Sequence, residues 1–233
     1  MRKGIFIKIN LLFPLSCFLA SLLVYADKLP NDVRWVRESK EYETICTQIF
    51  NRAKLSIEVQ TGLLKVSKTN YKNKQLAVVV DLDETILDNS TYQVERWKMG
   101  LGFTQESWSD WVNRKEAVLI IGAKNFLDFV RNKKIQVVFL SNRMAENLKP
   151  TKANLKSLGV LNRGDIFLLR QNKSDTKEIR RQEVLNGTGR MEKVGSLNVI
   201  AYLGDQIGDF PDNNNGEFDK KYFLFPNPMY GKW

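Results

Sequence analysis

Two carboxylates, Asp81 and Asp83, stand two positions apart directly after the unbroken apolar run Leu76–Val80. Side chains at positions i and i+2 of an extended strand point to the same side, so these two acids lie close together. Neighbouring carboxylates that lose hydration repel each other unless a cation or a reacting group lies between them. Thr85 follows with a hydroxyl that can hydrogen-bond the loop or an incoming anion. The pattern therefore indicates a chemical site rather than an acidic turn.

A second pair of carboxylates, Asp205 and Asp209, comes after another apolar run at residues 199–203. A turn at Gly204 would allow both side chains to point at one hard cation. Mg²⁺ is held in proteins mainly by carboxylate oxygens. We therefore expect Asp205 and Asp209 to be metal ligands.

The elements that must position these acids alternate along the chain. The predicted strands are residues 76–80, 135–140, 165–169, 199–203 and 223–226, and the predicted helices are residues 31–60, 105–114, 122–133 and 145–158. Buried strands that alternate with helices predict an α/β fold, a three-layer Rossmann-like parallel sheet covered on both faces. In such a sheet Asp81, Ser141, Lys177 and Asp205 would gather at the carboxyl ends of the strands.

The segment DLDETILDNSTY at residues 81–92 resembles the first signature of the bacterial class C acid phosphatases, which belong to the haloacid dehalogenase-like phosphohydrolases. The ending PNPMYGKW is also similar to that family. The segment GDQIGDF resembles the usual GDNLxDF, although Gln206 and Ile207 depart from it. The resemblance covers roughly residues 33–233, nearly all of the predicted mature chain.

This resemblance implies hydrolysis of phosphomonoesters with Mg²⁺ as cofactor. Asp81 would attack phosphorus and form an aspartyl-phosphate, and Asp83 would act as the general acid and base. The metal ligands would be Asp81, Asp83 through its backbone carbonyl, and Asp205, while Asp209 would either bind the metal directly or hold one of its ligands in place. An acid at Asp83 is typical of the phosphatases of the superfamily and is missing from its dehalogenases.

The resemblance also implies a phosphate-binding set. Ser141 matches the second motif and Asn142 follows it, while Arg143 is a further candidate that could instead pair with an acid. Lys177 matches the lysine of the third motif, with Lys173 as the alternative. We expect Ser174 or Asp175 to cap the helix that carries Lys177.

Aromatic residues are dense in the stretch after the first motif, where this superfamily inserts a cap. We expect a small helical cap at about residues 89–121. Tyr92, Trp108 and, from the chain's end, Tyr230 are candidates to stack on a planar leaving group such as a nucleobase. Packing within a small cap core is the alternative for each ring, and a docked tail is the alternative for Tyr230.

Composition excludes several other classes. The chain has no histidine, so a histidine phosphatase, a vanadate-type acid phosphatase or a histidine-ligated haem protein is excluded. The net charge of +10 falls to +7 without residues 1–26, which carry three basic and no acidic residues. The remaining charge is spread along the chain and could attract anionic substrates or a membrane surface, and the absence of a basic and aromatic stripe argues against a nucleic-acid polymer as partner. Membrane association remains open, as does the oligomeric state, with a dimer as one alternative.

The first 26 residues have the three-part pattern of a secretory signal peptide, with a basic start and an apolar run. Removal of residues 1–26 would leave 27–233 as a single haloacid dehalogenase-like domain, with an N-terminal helical segment at 33–60, in a periplasmic or secreted location. The alternatives are an uncleaved anchor and an outer-membrane lipoprotein attached through Cys17. If residues 1–26 are removed together with Cys17, Cys46 is the remaining cysteine, and we expect it to lie in the hydrophobic core.

Two alternatives to hydrolysis stay open. Some class C relatives are storage or surface proteins without catalysis, although Asp81 is present here. Transfer of the phosphoryl group to an alcohol acceptor instead of water cannot be separated from hydrolysis by sequence. The glycine-rich stretch at residues 186–196 resembles an inserted loop, and the sequence assigns it no role.

Overall fold

The computed structural model describes residues 28–66, 74–211 and 215–231. Its main sheet contains the five strands β1 (Leu76–Val80), β4 (Gln136–Met144), β5 (Ile166–Arg170), β6 (Asn198–Gly204) and β7 (Tyr222–Leu224). All five are parallel, and their spatial order is β5-β4-β1-β6-β7. A pair of two-residue strands, β2 (Leu87–Asp88) and β3 (Val118–Leu119), forms a separate antiparallel contact. The expected parallel α/β sheet is confirmed, with the strand that precedes Asp81 at its centre.

Helices cover both faces of this sheet. They are α1 (Asn31–Glu38), α2 (Lys40–Val66), α3 (Ser90–Lys98), α4 (Gln105–Arg114), α5 (Ala123–Asn132), α6 (Leu148–Ser157) and α7 (Lys177–Asn186). Val78 and Val80 of β1 pack on the face that α2 and α5 cover, whereas Ala77 and Val79 pack with Val184 of α7 on the other face. The alternation along β1 therefore separates two hydrophobic cores and gives the three-layer arrangement.

The N-terminal helical segment is broken at Ser39, whose backbone is extended. Leu55 of α2 is 56% exposed, although its place in the apolar pattern of residues 31–60 predicts a buried position. The side chains that α2 buries follow the helical period, and they are Tyr42, Cys46, Phe50, Ala53 and Ile57. Cys46 is a buried free thiol, as expected.

The expected cap region contains α3 and α4. Helix α4 has the predicted bounds, because Thr104 caps it and exchanges hydrogen bonds with Ser107. Trp111 is buried, and its indole N–H donates to Asn89 Oδ1 at 2.9 Å. This bond ties the cap to the loop that follows Asp81 and Asp83.

The stretch at residues 186–196, which the sequence left as a loop without a role, contributes to the core. Gly187 ends α7 with φ +68°, and any Cβ there would lie 2.3 Å from the Ser196 backbone nitrogen. A short 3₁₀ helix, Gly189–Met191, follows and buries Met191 completely. Arg190 forms salt bridges with Asp175 and Glu183. The stretch therefore holds the segment in front of Lys177 in place.

The predicted signal peptide at residues 1–26, with Cys17, lies outside the described residues. Within residues 28–66, 74–211 and 215–231, no helix combines the length and the hydropathy that crossing a membrane requires.

Candidate active site

Three carboxylates meet at the carboxyl ends of the two central strands. Oxygen atoms of Asp81, after β1, and of Asp205 and Asp209, after β6, all lie within 4.8 Å of one another. Gly204 permits this approach, because a Cβ at that position would lie 2.3 Å from Asp209 Cβ. The turn therefore needs glycine, and it brings the two acidic segments together as the sequence predicted.

Lys177 lies between two of these carboxylates. Its Nζ donates to Asp81 Oδ1 at 2.7 Å and also contacts Asp209 Oδ1. Burial alone would lower the pKa of Lys177, but the charges of Asp81 and Asp209 raise it above its usual value. Lys177, rather than Lys173, is therefore the cation at the acid cluster.

The helix that carries Lys177 is capped differently from our expectation. Thr176 is the N-cap and its hydroxyl accepts from the backbone N–H of Ile179 at 3.3 Å. Asp175 is not available as a cap, because its carboxylate accepts from Arg190 and from the Gln171 backbone N–H. Thr176 places Lys177 at the first position of α7, next to the strand ends.

The acid cluster has the donor chemistry of a divalent-cation site. Burial raises the pKa of Asp81 well above its ordinary value, and neighbouring carboxylates add to this. Burial and the charge of Asp209 raise the pKa of Asp205 to about 7. Three carboxylates with oxygen atoms this close together fit a hard dication, which would offset the repulsion between their negative charges.

The carboxylate of Asp83 lies apart from this cluster and is bound by Arg143. Arg143 Nη2 lies 2.7 Å from Asp83 Oδ1, and Arg143 Nε lies 3.0 Å from the same oxygen. Asn89 Nδ2 donates to Asp83 Oδ1 at 3.0 Å. Of the two interpretations of Arg143, the structure supports the pair with a neighbouring acid, although Arg143 also lines the cleft. The contacts fix the direction in which the Asp83 carboxyl points.

Ser141 and Asn142 follow the buried part of β4 but face different surroundings. Ser141 is fully buried, and its hydroxyl contacts Asp83 Oδ2 at 3.5 Å and accepts from the Arg143 backbone N–H at 3.1 Å. Asn142 lines the cleft, and its Oδ1 accepts from Arg180 Nη2 at 2.7 Å. The amide nitrogen of Asn142 is therefore the end that can donate to a phosphoryl oxygen.

A cleft of about 390 Å³ opens above these residues, and the three aromatic candidates relate to it differently. Trp108 and Tyr230 line the cleft. Tyr92 does not: it is 2% exposed, its ring packs edge-on against Trp108 at 5.0 Å, and its hydroxyl hydrogen-bonds Ser107. Tyr92 therefore packs between α3 and α4. Phe103, which we did not single out, lines the cleft and lies 6.2 Å from Trp108.

Sequence reasoning missed several residues that hold the residues of the site in position through hydrogen bonds. Arg180 is fully buried, and its Nη1 donates to the carbonyls of Ser141 and Leu168 at 2.5 and 3.0 Å. Asn227 donates to Asp205 Oδ2 at 2.8 Å. The hydroxyl of Thr85 is buried and has no hydrogen-bond partner among the described residues. Asn227 lies in the ending PNPMYGKW, so the resemblance of that ending to the family could have pointed to it. Arg180 lies in a charged run that is typical of a solvated surface, so no signal in the sequence pointed to its role.

The arrangement agrees with three comparisons. The chain is 28% identical over 160 residues to the stem 31 kDa glycoprotein of Glycine max, with 65% of this chain covered, and it spans 58% of the length of that relative. It is similar to the structure of the class C acid phosphatase from Bacillus anthracis, with TM-score 0.71, 28% identity, and 91% of this chain and 86% of the other covered. A tungstate-bound structure of that Bacillus anthracis enzyme matches equally well. The sequence profile of the haloacid dehalogenase-like subfamily IIIB acid phosphatases matches residues 24–233. The chain belongs to the acid phosphatases of subfamily IIIB of the haloacid dehalogenase-like superfamily.

Proposed function

We propose that this chain hydrolyses phosphomonoesters through an aspartyl-phosphate on Asp81. The observation that carries the proposal is the position of Asp81 at the end of the central strand, 2.7 Å from Lys177 and within one cluster with Asp205 and Asp209. A nucleophilic carboxylate, a buried cation and a metal-ligand set are the parts that phosphoryl transfer needs. The tungstate bound to the Bacillus anthracis relative is a tetrahedral oxyanion like phosphate, which supports the same kind of site here.

In the first step a carboxylate oxygen of Asp81 attacks phosphorus and the bond to the leaving oxygen breaks. Asp83, which lines the same cleft, gives its proton to that oxygen. In the second step Asp83 takes a proton from a water molecule that attacks the aspartyl-phosphate, so that phosphate leaves and the Asp81 carboxylate is restored. Lys177 and the Asn142 amide bind the phosphoryl oxygens, where their positive charge and N–H dipole stabilise the transition state.

We propose Mg²⁺ as the cofactor, held by carboxylate oxygens of Asp81, Asp205 and Asp209 and by the backbone carbonyl of Asp83. When bound, the ion reduces the repulsion between a carboxylate nucleophile and a phosphate dianion. The geometry of the acid cluster and its raised carboxyl pKa values support a dication at this place.

We propose nucleoside monophosphates as the substrate class. Trp108 and Tyr230 line the cleft above the acids, together with Phe103, and aromatic faces of this kind suit a planar base. Aryl phosphates would stack in the same way. A small phosphomonoester, rather than a nucleic-acid polymer, suits a cleft of about 390 Å³.

We propose that the protein is exported and that residues 1–26 are removed. The basic start and the apolar run support this. Intact-mass measurement of the protein from the producing cells distinguishes a chain that starts at residue 27 from a full-length anchor and from a lipid-modified Cys17.

The proposed activity is tested with the purified chain and a panel of nucleoside monophosphates, aryl phosphates and sugar phosphates, compared by kcat/KM. We expect phosphate release that is highest with nucleotides and that the Asp81→Asn variant lacks. The matched control is Asp128→Asn, which removes one exposed carboxylate that forms an i,i+4 pair with Lys124 on the surface of α5. This variant should keep full activity. Full activity of Asp81→Asn would overturn the proposal.

A further inference from the structure

Two cavities meet at the candidate active site. Besides the 390 Å³ cleft below the cap, a cavity of about 600 Å³ extends away from it, along the turn after β6 and the residues that follow β7. Six residues line both cavities, and they are Asn142, Arg170, Lys177, Asp205, Gln206 and Gly231. A substrate whose leaving group fills the cap side therefore leaves a second space of comparable size beside the reacting phosphate.

Arg170 is placed to act in this second space. It ends strand β5, lines both cavities and is half-buried. Its Nε donates to the Asn172 carbonyl at 3.0 Å and its Nη2 donates to the Lys173 carbonyl at 2.8 Å. A guanidinium has five N–H donors, so three of them remain for a ligand. The two carbonyls hold the side chain in one orientation without neutralising its charge.

Arg170 differs from the neighbouring arginines in that no carboxylate of the described residues neutralises its charge. Among residues 28–66, 74–211 and 215–231, no Asp or Glu forms a salt bridge with Arg170. The other arginines around the site each have a carboxylate partner: Arg143 has Asp83, Arg180 has Asp175, Arg181 has Glu178, and Arg190 has Asp175 and Glu183. Arg170 is therefore a preorganised and uncompensated cation beside the acid cluster.

We propose that Arg170 binds a second phosphate group of the substrate, so that the site accepts nucleoside bisphosphates with preference over monophosphates. This inference rests on the proposed phosphatase function and names a narrower substrate class for the same site. A guanidinium matches two phosphate oxygens with two parallel N–H donors, which a point charge does not. The 600 Å³ cavity, which Arg170 also lines, provides the room for this second phosphate itself.

A purely structural role for Arg170 makes a different prediction. Its bonds to the carbonyls of Asn172 and Lys173 hold the loop that leads to Lys177. If this were its whole role, loss of Arg170 would misplace Lys177 and lower activity equally on every substrate. A ligand-binding role raises the KM of bisphosphates more than the KM of monophosphates.

The test compares adenosine 3′,5′-bisphosphate with the 3′- and 5′-monophosphates of adenosine. The enzymes are the wild type, Arg170→Gln, Arg170→Lys and the matched control Arg163→Gln, which removes the same charge from an exposed position beyond the opposite end of β5. Wild type and control should show a lower KM for the bisphosphate. Arg170→Gln should raise the KM for the bisphosphate about tenfold more than it raises the KM for either monophosphate, since one charged hydrogen-bond pair to the second phosphate is lost. Arg170→Lys should fall between them, because it keeps the charge without the fork.

Equal KM values of the wild type for bisphosphate and monophosphates would overturn the inference while leaving the phosphatase function intact. The same holds if Arg170→Gln and Arg170→Lys reduce kcat/KM equally on all three substrates. A wild type that hydrolyses none of the three would instead refute the proposed function, and the inference with it.

Discussion

The hydroxyl of Tyr230 donates a hydrogen bond to the carboxyl of Glu84, the residue directly after Asp83. Glu84 is buried and has φ +55°. Its other oxygen accepts from the backbone N–H of Asn89 at 2.9 Å. Burial, followed by the charges of Asp83 and Asp205, raises the pKa of Glu84 well above its ordinary value. The contact fastens the C-terminal segment to the loop that follows β1, and Tyr230 forms one wall of the cleft.

The first prediction concerns this wall. Tyr230→Phe keeps the ring but loses the bond to Glu84, so the ring is held less firmly against a stacked base. We expect KM for a nucleoside monophosphate to rise about three- to tenfold with kcat nearly unchanged, because the bond contributes to binding and not to the transition state alone. Steady-state kinetics measures this.

Tyr92→Phe is the matched control for Tyr230→Phe. It also removes one bonded hydroxyl, the one that contacts Ser107, but its ring lies in the cap core. We expect an unchanged KM. A KM that rises in Tyr92→Phe and not in Tyr230→Phe would reverse the roles assigned to the two rings.

The second prediction separates the two candidate lysines. Lys177→Met removes the cation that contacts Asp81 and Asp209 and should lower kcat/KM by about 10²–10³, as is typical when a transition-state donor is lost. Lys173→Met removes an exposed charge and should keep activity within about twofold, because surface substitutions are near neutral. Comparable losses in both variants would contradict the assignment of Lys177.

The third prediction concerns the acid cluster. Mg²⁺ added to the metal-free protein should raise its Tm by several degrees, since ligand at about 100 times its Kd stabilises the folded state by about 2.7 kcal/mol. Asp205→Asn removes one charged ligand of the cluster and should abolish most of that shift. Chelation should also silence hydrolysis, and Mg²⁺ should restore it. A Tm that rises equally in both proteins would place the ion elsewhere.

The fourth prediction concerns Asp175, which holds the segment before Lys177. Burial alone would raise the pKa of Asp175, but hydrogen bonds from Arg190 and from the Gln171 backbone N–H bring it below its usual value. A lowered folded-state pKa stabilises the fold at pH values above the unfolded pKa of about 3.9, and this contribution is lost as the pH falls through the folded value.

We therefore expect Asp175→Asn to lower the free energy of unfolding by about 2–4 kcal/mol at pH 7, because Arg190 loses a buried partner. The difference from wild type should shrink at pH 3. Asp128→Asn, in an exposed pair, should change stability by less than about 1 kcal/mol. Urea unfolding at both pH values measures this, and a difference independent of pH would contradict the ionic role of Asp175.

The three central strands, β1, β4 and β6, could be predicted from the sequence because each contains an apolar run that is buried on both faces of the sheet. Leu76–Val80 is the clearest case, and its pattern also placed Asp81 at a strand end. The acid cluster followed, since parallel strands bring their carboxyl ends to one edge. Local spacing alone was sufficient for these features.

Features that depend on distant partners could not be predicted. Asp175 looked like a helix cap, but its carboxylate is used by Arg190, fifteen positions later in a stretch that resembled a loop. Tyr92 and Trp108 are both aromatic residues of the same region, and only the packing of α3 against α4 decides that Trp108 and not Tyr92 reaches the cleft. For Arg143 the sequence left two partners open, a phosphate group of the substrate or a neighbouring acid. The salt bridge with Asp83, which depends on the tertiary structure, decides for the acid.

The covalent step is tested most directly by trapping the phosphorylated enzyme. The protein is mixed with substrate, quenched in the steady state and reduced with borohydride, which converts an aspartyl-phosphate to homoserine, and the peptides are then sequenced by mass spectrometry. Our account predicts homoserine at position 81 and unmodified Asp83. Homoserine at position 83, or rapid hydrolysis with position 81 never modified, would contradict it.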